Sequence, residues 1–136
     1  ILASDRVAEV LNEGLHGSTF GGNALACRVS LEVLDLIDEL LPSIQAKSDY
    51  FGDRLNDLAA KHDICEEVRG LGLMRGLKLS VPGKWVVTAA LEAKLLINCT
   101  AESVIRLLPP YIIEHRHIDE LIEALDRILA AGPPTS

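Results

Sequence analysis

Ile64-Cys65-Glu66-Glu67-Val68-Arg69-Gly70-Leu71-Gly72-Leu73-Met74-Arg75-Gly76-Leu77-Lys78-Leu79 is the stretch whose reading decides the fold. Gly70, Gly72 and Gly76 rule out a helix here. The apolar residues on either side of Gly70-Leu71-Gly72 read as two short strands, 64–69 and 73–79, joined by a tight turn. Period-two alternation places Leu73, Leu77 and Leu79 on one face of the second strand. Arg75 falls on that same apolar face, so either a bulge turns it outward or that face is less buried than its leucines suggest.

Further on, Pro82-Gly83 marks a turn. Residues 84–94 are rich in alanine and read as a helix. Leu95-Leu96-Ile97-Asn98 and Ser103-Val104-Ile105-Arg106-Leu107-Leu108 are strand candidates, the second ended by Pro109-Pro110 because proline cannot donate to a ladder. A final helix spans 115–131, with Ile118, Leu121, Ile122, Leu125, Ile128 and Leu129 as its apolar stripe and Gly132-Pro133-Pro134 as its stop.

Working back from the glycines, 43–60 reads as a surface helix with Ile44, Phe51, Leu55 and Leu58 inward and Ser43 as its cap. Residues 23–41 hold no Gly or Pro. Val29, Val33, Leu36, Ile37 and Leu40 recur there at helical spacing, with Asn23 as N-cap and Pro42 as the end. Val7, Val10 and Leu11 suggest a short amphipathic stretch within 1–15. Strand pairs linked by tight turns, between helices, predict an α+β fold: a small mixed or antiparallel sheet with helices on one face.

Between the first stretch and the long helix lies His16-Gly17-Ser18-Thr19-Phe20-Gly21-Gly22-Asn23. Glycines let backbone N–H groups approach an anion, a helix start favours negative charge, and hydroxyls add donors. On chemistry alone this is a plausible phosphate loop, the competing reading being a local turn made by the Ser and Thr side chains. Nothing beside His16 orients it as a catalytic base, which favours loop packing or an interface role.

Composition bounds the rest. The 136 residues suffice for one domain with a core. Apolar residues make up 49% and the mean hydropathy is +0.24, yet no run approaches the roughly 18–20 apolar residues of a membrane span. The surplus points to surface covered by another domain or subunit. A net charge of −7 without a Lys/Arg cluster argues against nucleic-acid binding. Cys27, Cys65 and Cys99 show no metal-ligand spacing, so no metal is expected. They read as free buried thiols of a cytoplasmic protein.

His-Gly-Ser-Thr-Phe-Gly-Gly-Asn-x-Leu-Ala-Cys, over residues 16–27, resembles the loop-to-helix signature of the class III, pyridoxal-phosphate-dependent aminotransferases, most of all the acetylornithine branch. Ala24 stands where the family usually has proline. Val104 to Pro110 resembles the family's Arg-x-x-Pro-Pro segment, Val68 to Gly76 another family stretch, and Leu96-Ile97-Asn98-Cys99-Thr100 one typical of acetylornithine aminotransferases.

The resemblance implies that Thr19 binds the phosphate of pyridoxal 5'-phosphate held by the neighbouring subunit of a homodimer. Ser18 contacts substrate. Arg106 faces the active site, meeting a substrate carboxylate or a large-domain Glu. The Val68 to Gly76 segment is structural, and Arg75 replaces a usually apolar residue. The reaction implied moves the side-chain amino group of N-acetylornithine to 2-oxoglutarate in arginine biosynthesis. Ornithine, 4-aminobutyrate or succinylornithine are alternative donors, and a non-catalytic α+β binding or assembly module is the alternative of another class.

None of the eighteen residues ahead of Thr19 is a lysine, whereas the family's cofactor-bonding lysine precedes this loop. The chain therefore reads as a C-terminal fragment, inactive alone, that does not retain the cofactor. Residues 1–22 would end the large-domain segment and carry the phosphate loop, and 23–136 would form the small C-terminal domain.

Overall fold

The computed structural model describes residues 4–11, 14–15 and 17–133. They group into two compact units, 1–36 and 37–136.

The first unit holds α1 (Asp5–Ala8), the glycine-rich loop and the beginning of α2 (Ala24–Lys61). α1 is a single turn, shorter than the amphipathic stretch expected, and Val10 and Leu11 lie beyond it. Asn23 caps α2 as expected, its Oδ1 accepting from the Ala26 N–H at 3.1 Å. The described residues of this unit are all exposed, including Leu25, Val29, Leu31, Val33 and Leu34. The apolar surplus read from composition is concentrated there. Cys27 is exposed as well. That corrects the expectation of three buried thiols, for among the described residues none packs over Cys27. Cys65 and Cys99 are half-buried.

α2 runs 38 residues and contains Pro42. The expected break between two helices is absent. Proline's fixed φ is compatible with a helix, and what it removes is one N–H, at a cost of about 3 kcal/mol. Pro42 is exposed and so is Asp38, whose carbonyl loses its partner, so water reaches that carbonyl. Beyond the proline, Ser48, Phe51, Gly52, Leu55 and Leu58 are buried, and each large apolar side chain so buried contributes about 1.5–3 kcal/mol. Packing outweighs the missing bond. Ser43 donates to the Leu40 carbonyl at 2.8 Å and starts no new helix.

In the second unit β1 (Cys65–Leu71) and β2 (Met74–Leu79) form the antiparallel hairpin expected from the glycines. α3 (Lys84–Glu92) follows, then β3 (Asn98–Thr100), β4 (Val104–Leu107) and α4 (His115–Ala131). The sheet order is β1-β2-β4-β3, antiparallel at every pairing. Leu77, Leu79, Ile105 and Leu107 turn inward to meet Phe51, Leu55 and Leu58 of α2, Val86 and Ala90 of α3, and Ile118, Ile122 and Leu125 of α4. Arg69, Met74, Asn98 and Arg106 are exposed on the opposite face. This is the α+β arrangement predicted, with the helices on one face and the sheet antiparallel.

β3 starts at Asn98, the last residue of the expected strand 95–98, because the chain just before it closes α3. The Lys94 N–H bonds the Leu91 carbonyl at 3.0 Å and the Leu95 N–H bonds the Ala90 carbonyl at 2.8 Å. With Lys94 at φ 63, this is a left-handed helix cap of the kind usually made by glycine. Leu95 is thus committed to the helix end. The hairpin turn shows the opposite match of residue to backbone. Gly70 has φ +128, and a Cβ there would lie 2.1 Å from the Met74 carbonyl oxygen.

Gly70→Ala should therefore cost about 3 kcal/mol or more in chemical denaturation, and a loss under 1 kcal/mol would contradict the turn geometry. Lys94→Gly should stabilise. The left-handed position costs an L-residue about 1–2 kcal/mol, and glycine's unfolded-state freedom cancels about 0.5–1 of it. A net gain of about 0.5–1 kcal/mol is expected, and a lowered denaturation midpoint would contradict it.

Candidate functional site

The glycine-rich loop consists of two successive turns. The Gly21 N–H bonds the Ser18 carbonyl at 3.1 Å, and the Asn23 N–H bonds the Phe20 carbonyl at 3.2 Å. Gly22, at φ +76, takes the left-handed position of the second turn. A Cβ on Gly21 would press on the Ser18 carbonyl oxygen at 3.3 Å. These turns are made by backbone groups. Among the described residues the hydroxyls of Ser18 and Thr19 have no hydrogen-bond partner, and both residues are exposed. The side-chain turn that competed with the phosphate reading is not what forms the loop. Asn23 then starts α2, whose first N–H groups are those a helix leaves free for an anion. His16 lies outside the described residues.

Ser18 and Thr19 are consecutive on one turn, while Arg106 belongs to the other unit, on β4. Its strand neighbours Ile105 and Leu107 are buried and Arg106 is exposed. Ile105 to Leu107 alternate as a strand with one packed face does, while Val104, on the side of Arg106, is buried as well. Register places Arg106 directly opposite Gly76 of β2 on one side and Asn98 of β3 on the other. Gly76 in turn faces Arg69 of β1. Arg69, Gly76, Arg106 and Asn98 thus form one row across the open face of the sheet. Among the described residues Arg106 has no ion-pair partner. Sequence reasoning treated Arg69 as part of a structural connection. Its nearness to Arg106 arises from a ladder between distant strands, for which no local signal exists.

Arg75 corrects both readings offered for it. No bulge turns it outward, since the register irregularity in this hairpin lies at Cys65/Glu67. The side chain points to the helix side, where Nη2 donates to the Ser48 carbonyl at 2.8 Å and to the Ser48 hydroxyl at 2.9 Å, and Nη1 to the Gly70 carbonyl at 3.2 Å. The absence of a side chain at Gly52 makes room, for a Cβ there would be 3.1 Å from Nη2. The Arg75 Nε is buried without a partner.

A polar lock holds the segment after Arg106. Lys47 Nζ donates to the Tyr111 carbonyl at 2.9 Å. The Tyr50 ring stacks on His115 with centroids 4.3 Å apart. Its hydroxyl donates to Asp119 at 2.6 Å, and Arg54 Nε donates to the same carboxylate oxygen at 2.9 Å. The Tyr50 hydroxyl, and then Arg54, hold the Asp119 carboxyl below its usual range. The same bond raises the Tyr50 phenol. Glu114 and His117 close a capping box at the start of α4. An open cleft of about 1080 Å³ lies between α3 and the end of α4, lined by Lys84, Trp85, Thr88, Arg127 and Ile128 among others. None of Ser18, Thr19 or Arg106 lines it. No described helix is long and apolar enough to cross a membrane.

The family model for class-III aminotransferases matches residues 1–129. An acetylornithine aminotransferase of Methanocaldococcus jannaschii is 44% identical over 130 residues, covering 94% of this chain and 33% of that protein. This chain therefore spans about a third of the length of that relative. Plasmodium falciparum ornithine delta-aminotransferase superposes with a TM-score of 0.80 at 30% identity, over 96% of this chain and 35% of that one. A Toxoplasma gondii ornithine aminotransferase, described with partial occupancy of PLP at its active site, superposes at 0.75 with 30% identity, over 93% of this chain and 31% of its own.

The Asp119 lock makes a pH prediction. A carboxyl whose folded pKa is depressed adds stability that is present above the unfolded value and is lost as pH falls through the folded one. Asp119→Asn should lower the denaturation midpoint at neutral pH. The deficit should shrink below about pH 4, where the carboxylate of the unfolded chain takes up a proton that the folded one still resists. A deficit independent of pH would contradict this role of the charge.

Proposed function

This chain belongs to the class-III aminotransferases, and from that premise we propose that it forms part of the active site of a cytoplasmic, homodimeric enzyme. That enzyme moves the side-chain amino group of N-acetylornithine to 2-oxoglutarate in arginine biosynthesis. The name of the Methanocaldococcus jannaschii relative supports the choice of substrate. The observation that carries the reading is the loop 17–22, with two uncommitted hydroxyls at the start of a 38-residue helix.

The loop's chemistry fits the phosphate of pyridoxal phosphate. Thr19 donates its hydroxyl to that phosphate across the dimer interface, and Ser18 faces the substrate. The exposed Arg106 offers its planar fork to a substrate carboxylate, which can accept two parallel hydrogen bonds. When bound, pyridoxal phosphate supplies the electron sink for the carbanion chemistry of the reaction. The bond to the cofactor has no candidate here. Lys47 is held by the Tyr111 carbonyl, Lys61 by Asp126 and Lys78 by Glu66. Lys84 and Lys94 lie on and just after α3, and none matches the family's lysine.

The 136 residues alone should form no glutamate from N-acetylornithine and 2-oxoglutarate, while the full reading frame should. In the full-length protein Thr19→Ala should weaken pyridoxal-phosphate retention about tenfold, the effect of one charge-assisted hydrogen bond of about 1.5 kcal/mol. Equilibrium dialysis measures it. Unchanged retention would remove Thr19 from the phosphate site, and glutamate formation by the 136 residues would overturn the division of labour.

A further inference from the structure

The open cleft between α3 and the end of α4 lies on the helix side of the sheet, whereas Arg106 stands on the other face. One face of each helix lines it. On α3 the lining residues Lys84, Trp85, Thr88, Ala89 and Glu92 recur at the spacing of a single helix face, and on α4 Arg127, Ile128 and Ala131 do the same.

The floor of the cleft is apolar. Ile128 is buried, and Ala89 packs against the core. Trp85 is half-buried, and its Nε1 is enclosed without a partner. The part of the indole that meets the cleft is therefore ring carbon. Ala93 and Ala131 line it too, and their methyl groups are too small to close it.

The charges around this floor are unspent. Lys84 and Arg127 are exposed, and among the described residues neither forms an ion pair. Lys84 opens α3, whose N-terminus has no side-chain cap, and that end of a helix favours an anion. Among the described residues Glu92 is the only carboxylate in the lining. It lies two turns beyond Lys84, about 12 Å along the helix. The Thr88 hydroxyl donates to the Lys84 carbonyl at 3.3 Å, so that donor is committed to its own helix. Two cations against one distant carboxylate leave the cleft with a single positive charge, in a chain whose net charge is −7.

We infer that this cleft is a binding site for an apolar monocarboxylate. The apolar body lies over Trp85, Ala89 and Ile128, and the carboxylate is met by Lys84 and Arg127. Small-molecule sites combine a mostly apolar lining with a few charged groups that fix orientation. The guanidinium can give a carboxylate two parallel hydrogen bonds, and the lysine adds a mobile charge. A single negative charge matches the balance of the walls. A cationic ligand meets two like charges, and a neutral one leaves both cations unused.

Saturation-transfer NMR titrations of the full-length protein test this with three ligands of one shape: cyclohexanecarboxylate, cyclohexanol and cyclohexylmethylamine. The carboxylate should bind saturably, and the alcohol and the amine at least about tenfold more weakly. Lys84→Gln and Arg127→Gln should each weaken the carboxylate about tenfold, the effect of one charge-assisted hydrogen bond. Glu92→Gln should tighten it. Ala131→Phe, a change at an exposed position, should fill the cleft and weaken all three ligands. Arg106→Gln should leave binding unchanged. No saturable binding of the carboxylate up to about 10 mM, ten times the Kd that about −4 kcal/mol would give, overturns the inference. So does binding that survives both Lys84→Gln and Arg127→Gln, or binding lost in Arg106→Gln, which would assign the carboxylate to β4.

Discussion

The ladder between β2 and β4 joins two local hairpins into one sheet. β1–β2 and β3–β4 each form across a short turn, so their pairing closes little chain. Arg75 to Lys78, by contrast, find Leu107 to Val104 across α3 and β3. A slip of one residue would send every side chain of one strand to the other face. It is held off because Leu77 and Ile105 must enter the core together, as must Leu79 and Leu107. The same register puts Arg106 outside, opposite Gly76. Core packing and the placement of the exposed arginine are therefore one choice, made by hydrophobic burial.

Two polar devices fix the helices to this sheet. Arg75 is a charge drawn to the packed side, which is costly unless its donors are used. Ser48 and Gly70 accept from both terminal nitrogens, and Gly52 clears the space. The guanidinium ties the end of the first hairpin to α2. Further along α2, Tyr50 and Arg54 hold Asp119 near the start of α4. The chain between Arg106 and α4 is pinned by Lys47 as well. Arg106 thus emerges from a strand whose following segment is anchored, so its backbone has little freedom to drift.

Much of this was legible in the residues. Glycine spacing disclosed the first hairpin, and the stripe from Ile118 to Leu129 disclosed α4 with nearly its whole buried face. Asn23 announced a real cap. What was misread had nonlocal causes. Pro42 looks like a stop unless the burial of Phe51, Leu55 and Leu58 beyond it is known. Leu95 looks like strand until its amide is found closing α3. Arg75 looks out of place on an apolar face until Ser48 is brought above it. The hydroxyls of Ser18 and Thr19 could be suspected from the loop's composition and from resemblance. The neighbourhood of Arg69 could not, because it depends on which strand lies beside which.

The proline inside α2 has a consequence for how that helix comes apart. Helix propagation is cooperative because each residue added gains one bond to the rung below. At Pro42 one rung is missing. On its N-terminal side the helix has exposed apolar side chains and no buried anchor, whereas on its C-terminal side Phe51 and Leu55 are fully enclosed. Fraying that starts at Asn23 therefore meets little resistance until it passes the proline, and the first enclosed side chains then arrest it. In the 136 residues by themselves, amide protection along α2 follows as a step, low through the loop-bearing half and high after Ser48. The hydroxyl-bearing turn is thus mounted on the half of the helix that gives way first.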